Sequence, residues 1–163
     1  MMSDCGSTAL RRLLDALPDA VLETHALHGD ATACVEAARI LEVLRLLRDD
    51  DELEFEMLSD LTAVDLLGEE PRFELVYHLY SVAKNHRVRI KARVGESSPE
   101  IDSAVALWPS ANWMEREVWD LYGIRFRDHP DLRRLLLYEE FEGHPLRKDY
   151  PKEKRQPLVG PSN

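Results

Sequence analysis

Cysteine, glycine and long apolar runs are all scarce in this sequence, and each scarcity removes a class of function. Cys5 and Cys34 are the only cysteines in 163 residues, 29 positions apart. They cannot form a CxxC zinc knuckle, and two thiols fall short of the four thiolates that an iron–sulfur cluster usually needs. A reduced thiol, free or buried, is the plainer reading for both. The seven glycines fall into neither GxGxxG nor GxxxxGK[ST], so no motif cradles a nucleotide phosphate. No apolar run approaches the roughly 20 residues of a membrane-spanning helix. Residues 1–10 show neither a basic nor an apolar leader pattern, which leads us to expect no secretory signal. A cytoplasmic protein that meets the membrane only through partners is the resulting expectation.

Catalytic constellations are equally thin. There is no HExxH and no histidine–cysteine cluster, and His25 and His28 read as a solvated pair rather than metal ligands. No serine or cysteine stands beside a recognisable base. Glu115, Glu117 and Asp120 share one predicted helix, where an acid/base pair is conceivable. A solvated or ion-paired helix face is the stronger reading.

What is present is charge, unevenly placed. The net charge is −10, with 12 Lys/Arg against 24 Asp/Glu up to residue 124 and 9 against 7 beyond it. An acidic body disfavours nucleic acid, whose non-specific binding rests on phosphate neutralisation. One contrary pattern exists. Arg87, Arg89, Lys91 and Arg93 line one face of a predicted strand, and with Tyr77 and Tyr80 they could imitate an RNA-binding sheet. A solvated or partner-facing sheet surface explains the same stripe.

The length suits one compact domain plus an extension. Leu10, Leu13, Leu14 and Leu17 predict a helix over residues 7–17, with Ser7 as N-cap and Pro18 as its stop. Residues 20–27 have strand character, and His28-Gly29-Asp30 is a tight turn. Residues 31–36 remain ambiguous between strand and helix start. Ile40, Leu41, Val43, Leu44 and Leu47 then form a helical stripe. A β-rich block follows: residues 54–67 extended, a turn at 68–71, then strands over 73–82 and 87–94. Val88, Ile90, Ala92 and Val94 alternate with the basic stripe, as a half-buried antiparallel strand requires. A short helix is predicted near 101–107. Asn112 looks like an N-cap with Glu115 three positions on, opening a helix over 113–122 whose core face is Met114, Val118, Leu121 and Tyr122. Gly123 stands where a left-handed C′ residue is wanted.

Beyond Gly123 periodicity fades. Residues 125–163 hold five prolines yet also Phe126, Leu135, Leu136, Leu137, Tyr138, Phe141 and Tyr150, too much apolar surface for a solvated linker. The organisation expected is therefore a compact α/β domain over residues 1–124 and an extended, partner-binding C-terminal tail over 125–163.

Two ordered blocks carry a resemblance. Glu115-Arg116-Glu117-Val118-Trp119-Asp120-Leu121-Tyr122-Gly123-Ile124 continues through Phe126, His129-Pro130, Leu132, Arg134 and Leu135. Gly143-His144-Pro145-Leu146-Arg147-Lys148-Asp149-Tyr150-Pro151 follows. Together with Leu61-Thr62-Ala63-Val64-Asp65, the stretch from Phe73 to Leu79, and Trp108-Pro109, the chain resembles the thirty-kilodalton (C) subunit family of respiratory complex I. Tyr138 and Tyr122 depart from it, standing where many members carry proline and phenylalanine.

The resemblance implies a small α+β (α/β) domain with a mixed or antiparallel sheet packed with helices, and it turns residues 31–36 towards strand. It further implies a non-catalytic subunit of the peripheral arm of a proton-translocating NADH–quinone oxidoreductase, on the cytoplasmic side of the inner membrane. Flavin, iron–sulfur clusters and quinone would belong to partner subunits, with none in this chain. The tail would run over its neighbours, chiefly the D subunit of the same complex. A related membrane-bound hydrogenase, or another donor–quinone oxidoreductase with the same arm, fits the same residues.

Physically the blocks suit an interface. Arg134 and Arg147, beside His144 and Asp149, offer planar bidentate pairing to carboxylates, and Glu115, Arg116, Glu117, Asp120, His129 and Lys148 are expected at the same partner interface. Phe126, Tyr150 and Leu146 can act as anchors in pockets on a partner. Arg116, Asp120 and Asp149 could instead tie the domain to its own tail.

Overall fold

The computed structural model describes residues 7–156. Cys5, Pro157 and Pro161 lie outside that range. Chain order gives α1 (Thr8–Ala16), β1 (Val21–His25), β2 (Thr32–Val35), α2 (Ile40–Asp49), β3 (Met57–Asp65), β4 (Phe73–Ser81) and β5 (His86–Val94). Then come β6 (Glu100–Asp102), α3 (Ala111–Tyr122) and β7 (Arg125–Arg127).

Strands β1 to β5 form one sheet in the order β1-β2-β5-β4-β3. Only the β2–β5 pairing is parallel, so the sheet is mixed. The alternation read from the sequence decides which side is buried. Val88, Ile90, Ala92 and Val94 of β5 and Phe73, Leu75, Tyr77 and Leu79 of β4 join one core. Leu10 and Leu13 of α1 and Ile40, Val43, Leu44 and Leu47 of α2 pack into the same core. Each such fully buried aliphatic side chain contributes about 2 kcal/mol. The opposite sheet face carries the basic stripe, laced to acids: Lys91 and Arg93 reach Glu74 at 2.7 and 3.2 Å, and Arg89 reaches Asp30 at 2.9 Å.

β6 and β7 pair in parallel, Ile101 opposite Phe126, with α3 as the connection between them. This corrects two expectations. Residues 100–102 are strand, not the start of a helix, because their hydrogen-bonding partner lies 25 positions downstream, where local periodicity cannot see it. Residues 125–127 belong to the body rather than to the tail, since Phe126 fills the core beneath α3.

Helix α3 also begins earlier than its apparent cap. Ser110 occupies the N-cap position without a side-chain cap bond, and Asn112 lies inside the helix. Glu115 makes no capping box. It turns inward, and the buried residues of α3 are Ala111, Glu115, Arg116, Val118 and Asp120, with Met114 and Tyr122 only partly covered. A helix with three charged residues on its buried side must find partners for each one. Gly123 does adopt the left-handed conformation, at φ 75°. Beyond Arg127 the described residues form turns and bends that lie back over the C-terminal half of α3.

Candidate functional site

The partners of α3's buried charges come from the tail. Asp120, 1% exposed, accepts at Oδ2 from three consecutive amides: Leu135 at 3.1 Å, Leu136 at 2.9 Å and Leu137 at 2.9 Å. Its Oδ1 accepts from Arg134 Nη1 at 2.9 Å. Burial pushes this carboxyl up, but the three amides and the Arg134 charge outweigh it and hold it below the usual carboxylate range. One turn earlier Arg116 donates to the carbonyls of Arg133 and Arg134, at 3.1 and 3.0 Å. The four-residue spacing puts Arg116 and Asp120 on one helix face. There the cation takes the carbonyls of a short tail segment and the anion takes its amides.

The end of the helix is closed by the tail as well. The last carbonyls of any helix lack intrahelical donors. Here His144 Nδ1 donates to Asp120 O at 2.9 Å, Leu146 N to Leu121 O at 3.1 Å, and Arg147 Nε to Tyr122 O at 2.5 Å. Burial lowers the pKa of His144, in keeping with a neutral ring that donates through Nδ1. The Arg147 cation at a helix C-terminus is also favoured by the helix dipole. A Cβ at Gly123 would lie 2.5 Å from His144 Nε2 and 2.8 Å from Arg147 Nη2. Glycine is therefore required twice there, for its φ and for the closeness of the tail.

A third clamp joins tail to sheet. Arg72, fully buried, pairs bidentately with Asp65 at 2.8 Å for both contacts and reaches Glu96 at 2.7 Å and Asp149 at 2.9 Å. Lys148 N donates to Asp65 Oδ2 at 2.7 Å. The guanidiniums of Arg72 and Arg147 both lie 4.9 Å from the Phe73 ring centre. The Arg72 hydrogen bonds keep both Asp65 and Asp149 below the ordinary carboxylate range.

The expected interface residues thus divide sharply. Arg116, Asp120, Arg134, His144 and Arg147 bind within the α3–tail junction, and Asp149 belongs to the Arg72 clamp. Phe126 is core, Tyr150 stacks on Phe141 at 6.1 Å, and the side chains of Glu115 and His129 are wholly enclosed. Glu117 and Lys148 remain exposed. Sequence reasoning missed Asp65 and Arg72. Their signal was an acid and a base flanking the turn between two strands.

Large apolar side chains also face outward from the junction, beside the exposed Glu117, Arg133 and Lys148. Trp113 is 60% exposed with its ring under Arg116, Leu136 is equally exposed within the segment bound by Asp120, and Leu146 is half exposed. On the open sheet face the RNA-like pattern dissolves. Tyr77 is on the buried side, so no aromatic pair lines that surface. Cys34 is a half-buried free thiol whose pKa burial raises. Among the described residues no group of three His, Cys, Asp or Glu could hold a metal ion, and no helix is long and apolar enough to cross a membrane.

Comparison with known proteins covers both body and tail. The family described as respiratory-chain NADH dehydrogenase, 30 Kd subunit, matches residues 33–156. The C subunit of NADH-quinone oxidoreductase from Roseiflexus castenholzii is 51% identical over 144 residues, covering 88% of this chain and 83% of the relative. Its counterpart from Citrifermentans bemidjiense is 47% identical over 154 residues, covering 93% and 94%. Among solved structures, a trypsin-resistant fragment of Nqo5 aligns with TM-score 0.67 and 28% identity, over 77% of this chain and all of that one. The membrane-bound sulfane sulfur reductase, an archaeal respiratory membrane complex, aligns with TM-score 0.75 and 25% identity, over 88% and 84%.

Proposed function

Because the chain belongs to the family of the 30 Kd subunit of respiratory-chain NADH dehydrogenase, we propose that it serves as a docking element of the peripheral arm, carrying no redox centre of its own. In this reading it supports assembly and stability of the quinone-reducing module, chiefly by contact with the D subunit, on the cytoplasmic side of the inner membrane. One observation carries the proposal. The charged groups that could do chemistry at the α3–tail junction are consumed by one another, while the outward surface offers Trp113, Leu136 and Leu146. An exposed tryptophan on the same helix–tail junction as two exposed leucines suits the anchors of a protein interface. The prolines of the tail lower the ordering cost of such docking. The matched relatives are named as subunits of an oxidoreductase, which agrees with catalysis belonging to the assembly.

The test is a double substitution, Trp113→Ser with Leu136→Ser, in cells expressing the whole complex. The isolated chain should lose only about 1 kcal/mol, because both side chains are largely in water and the Arg116 contact with the exposed Trp113 ring is the main one removed. Assembled complex on native gels should fall several-fold, with NADH–quinone activity per assembled complex near normal. Full assembly with abolished turnover would mean that this surface serves catalysis instead. The purified chain should also lack stoichiometric iron, zinc and flavin, and metal surviving a chelator would overturn the cofactor-free reading.

A second reading has its own support. The likeness to the sulfane sulfur reductase complex fits an arm component serving another electron donor. Mass spectrometry of everything co-purifying with the tagged chain separates the two.

A further inference from the structure

Among the described buried acids Asp65, Glu74 and Asp120 each pair with an arginine or lysine, and Glu115 does not. Its side chain is 0% exposed, as is that of His129 beside it. Oε1 accepts from Ala104 N at 2.6 Å, and Oε2 from Ser103 Oγ at 2.6 Å. Among the described residues its one neighbour at ion-pair distance is His129 Nε2, 3.9 Å from Oε2. That ring has its own commitments. Nδ1 accepts from Asp131 N at 3.0 Å, so the ring hydrogen sits on Nε2, which points to Asn112 O at 3.3 Å.

The other charged groups around this carboxyl are engaged or distant. On β6 and β7, Asp102 pairs with Arg127 at 2.6 Å. On α3 itself Arg116 serves Arg133 and Arg134, while Glu117 is exposed. On β3, Asp65 pairs with Arg72 and Asp60 is exposed. From β4 the Tyr77 hydroxyl is fully enclosed, and burial first, then the nearness of Glu115, keep it protonated. In the turn after β7, Asp128 and Asp131 are exposed.

We propose that Glu115, His129 and the Asp131 amide form a proton-linked latch that holds the turn leading into the C-terminal segment against the body. A carboxyl wholly out of water with no committed cation is most stable carrying its proton. Once ionised, it draws the Nε2–H away from Asn112 O. The ring that moves takes the acceptor of Asp131 N with it. The tail segment gripped by Arg116 and Asp120 begins two residues further on, so opening the turn loosens the tail at its root.

The pH dependence follows from linkage. Burial raises the Glu115 pKa to about 7 from 4.5, partly offset by the Ser103 and Ala104 hydrogen bonds. Opening admits water, restores the ordinary value and so releases a proton. Opening therefore becomes easier as pH rises from 4.5 towards 7, about tenfold per pH unit, and levels off above 7. His144, which burial disfavours in its charged form, has the opposite sign. The Glu115 contribution is accordingly read as a difference between wild type and Glu115→Gln.

The experiment is hydrogen exchange on the full chain between pH 5 and 8, corrected for intrinsic base catalysis, beside a carboxyl-carbon NMR titration of Glu115. Opening at Asp131 and Leu135–Leu137 should rise about tenfold per unit up to pH 7 and then level. The slope should vanish in Glu115→Gln and be absent from sheet amides such as Ile90 in both proteins. Ser103→Ala, which removes a donor to the ionised form, should move the plateau to higher pH. A Glu115 titration near 4.5, or the same slope in Glu115→Gln as in wild type, would overturn the latch. Should Glu115→Gln fail to fold, the wild-type carboxyl titration and Ser103→Ala still decide.

Discussion

Replacing Asp120 by alanine removes one carboxylate and strips four donors of their acceptor: three tail amides and the Arg134 guanidinium. The amides belong to residues that are exposed or half-buried, so water can partly replace the lost bonds. Each then costs the lower end of the usual penalty, about 1 kcal/mol. Arg134 loses a partner at a pair whose acid is fully enclosed, worth about a further 1–2 kcal/mol. The expected total is about 4–5 kcal/mol, within the range of about 3–5 found when one partner of a buried pair is removed. That loss falls on the tail more than on the sheet core, which makes none of these contacts. Trypsin should therefore cut after Arg133 and Arg134 far faster in the variant, while the urea midpoint of the body shifts less. Asp120→Asn keeps one oxygen and should lose about 2 kcal/mol, because its amide must face either Arg134 or the amides as a donor against donors. The pH dependence has a fixed sign. The folded carboxyl titrates below its ordinary value, so its stabilisation is present above pH 3.8 and is lost as pH falls through the depressed value. Wild-type tail protection should collapse only in that acid range, whereas Asp120→Ala lacks it at neutral pH. A tryptic rate for Asp120→Ala within a factor of about 2 of wild type (under 0.5 kcal/mol) would refute the assignment of Asp120 as the tail's main anchor.

Two further substitutions probe the other clamps. Gly123→Ala should destabilise by about 1–3 kcal/mol, since the left-handed φ costs about 1 and the collision with His144 and Arg147 adds the rest; thermal unfolding measures it. An unchanged midpoint would mean that the tail does not close on the helix end. Arg72→Met leaves Asp65 enclosed without a counter-ion and should cost about 3–5 kcal/mol at pH 7. The gap to wild type should narrow as pH falls from 7 towards about 4, because a stranded, enclosed carboxyl takes up its proton above the ordinary value, and urea unfolding at the two pH values tests this.

The sequence by itself determined the elements whose information is local. The period-2 strand from Val88 to Val94 and the stripe from Ile40 to Leu47 each bury one face, and a face is written into the spacing of a single segment. It also determined the family, because two ordered blocks of unlike residues carry far more information than periodicity does. Gly123 was legible for the same local reason: a left-handed helix end leaves few alternatives. Other features depended on segments meeting across the chain. Glu115 resembled a capping residue, and only the arrival of Ser103, Ala104 and His129 made it a buried acid. Residues 100–102 became strand only because Arg125–Arg127 returned beside them after α3. The tail had too little periodicity for any local rule, since its order comes from hydrogen bonds to Asp120, Tyr122 and Asp65 together with irregular turns of its own, such as the Arg134 bond to Phe141 O. Side-chain type announces that a charge needs a partner. Which residue supplies that partner, and whether the pair lies in water or out of it, is decided only by tertiary structure, because desolvation depends on everything packed around the group.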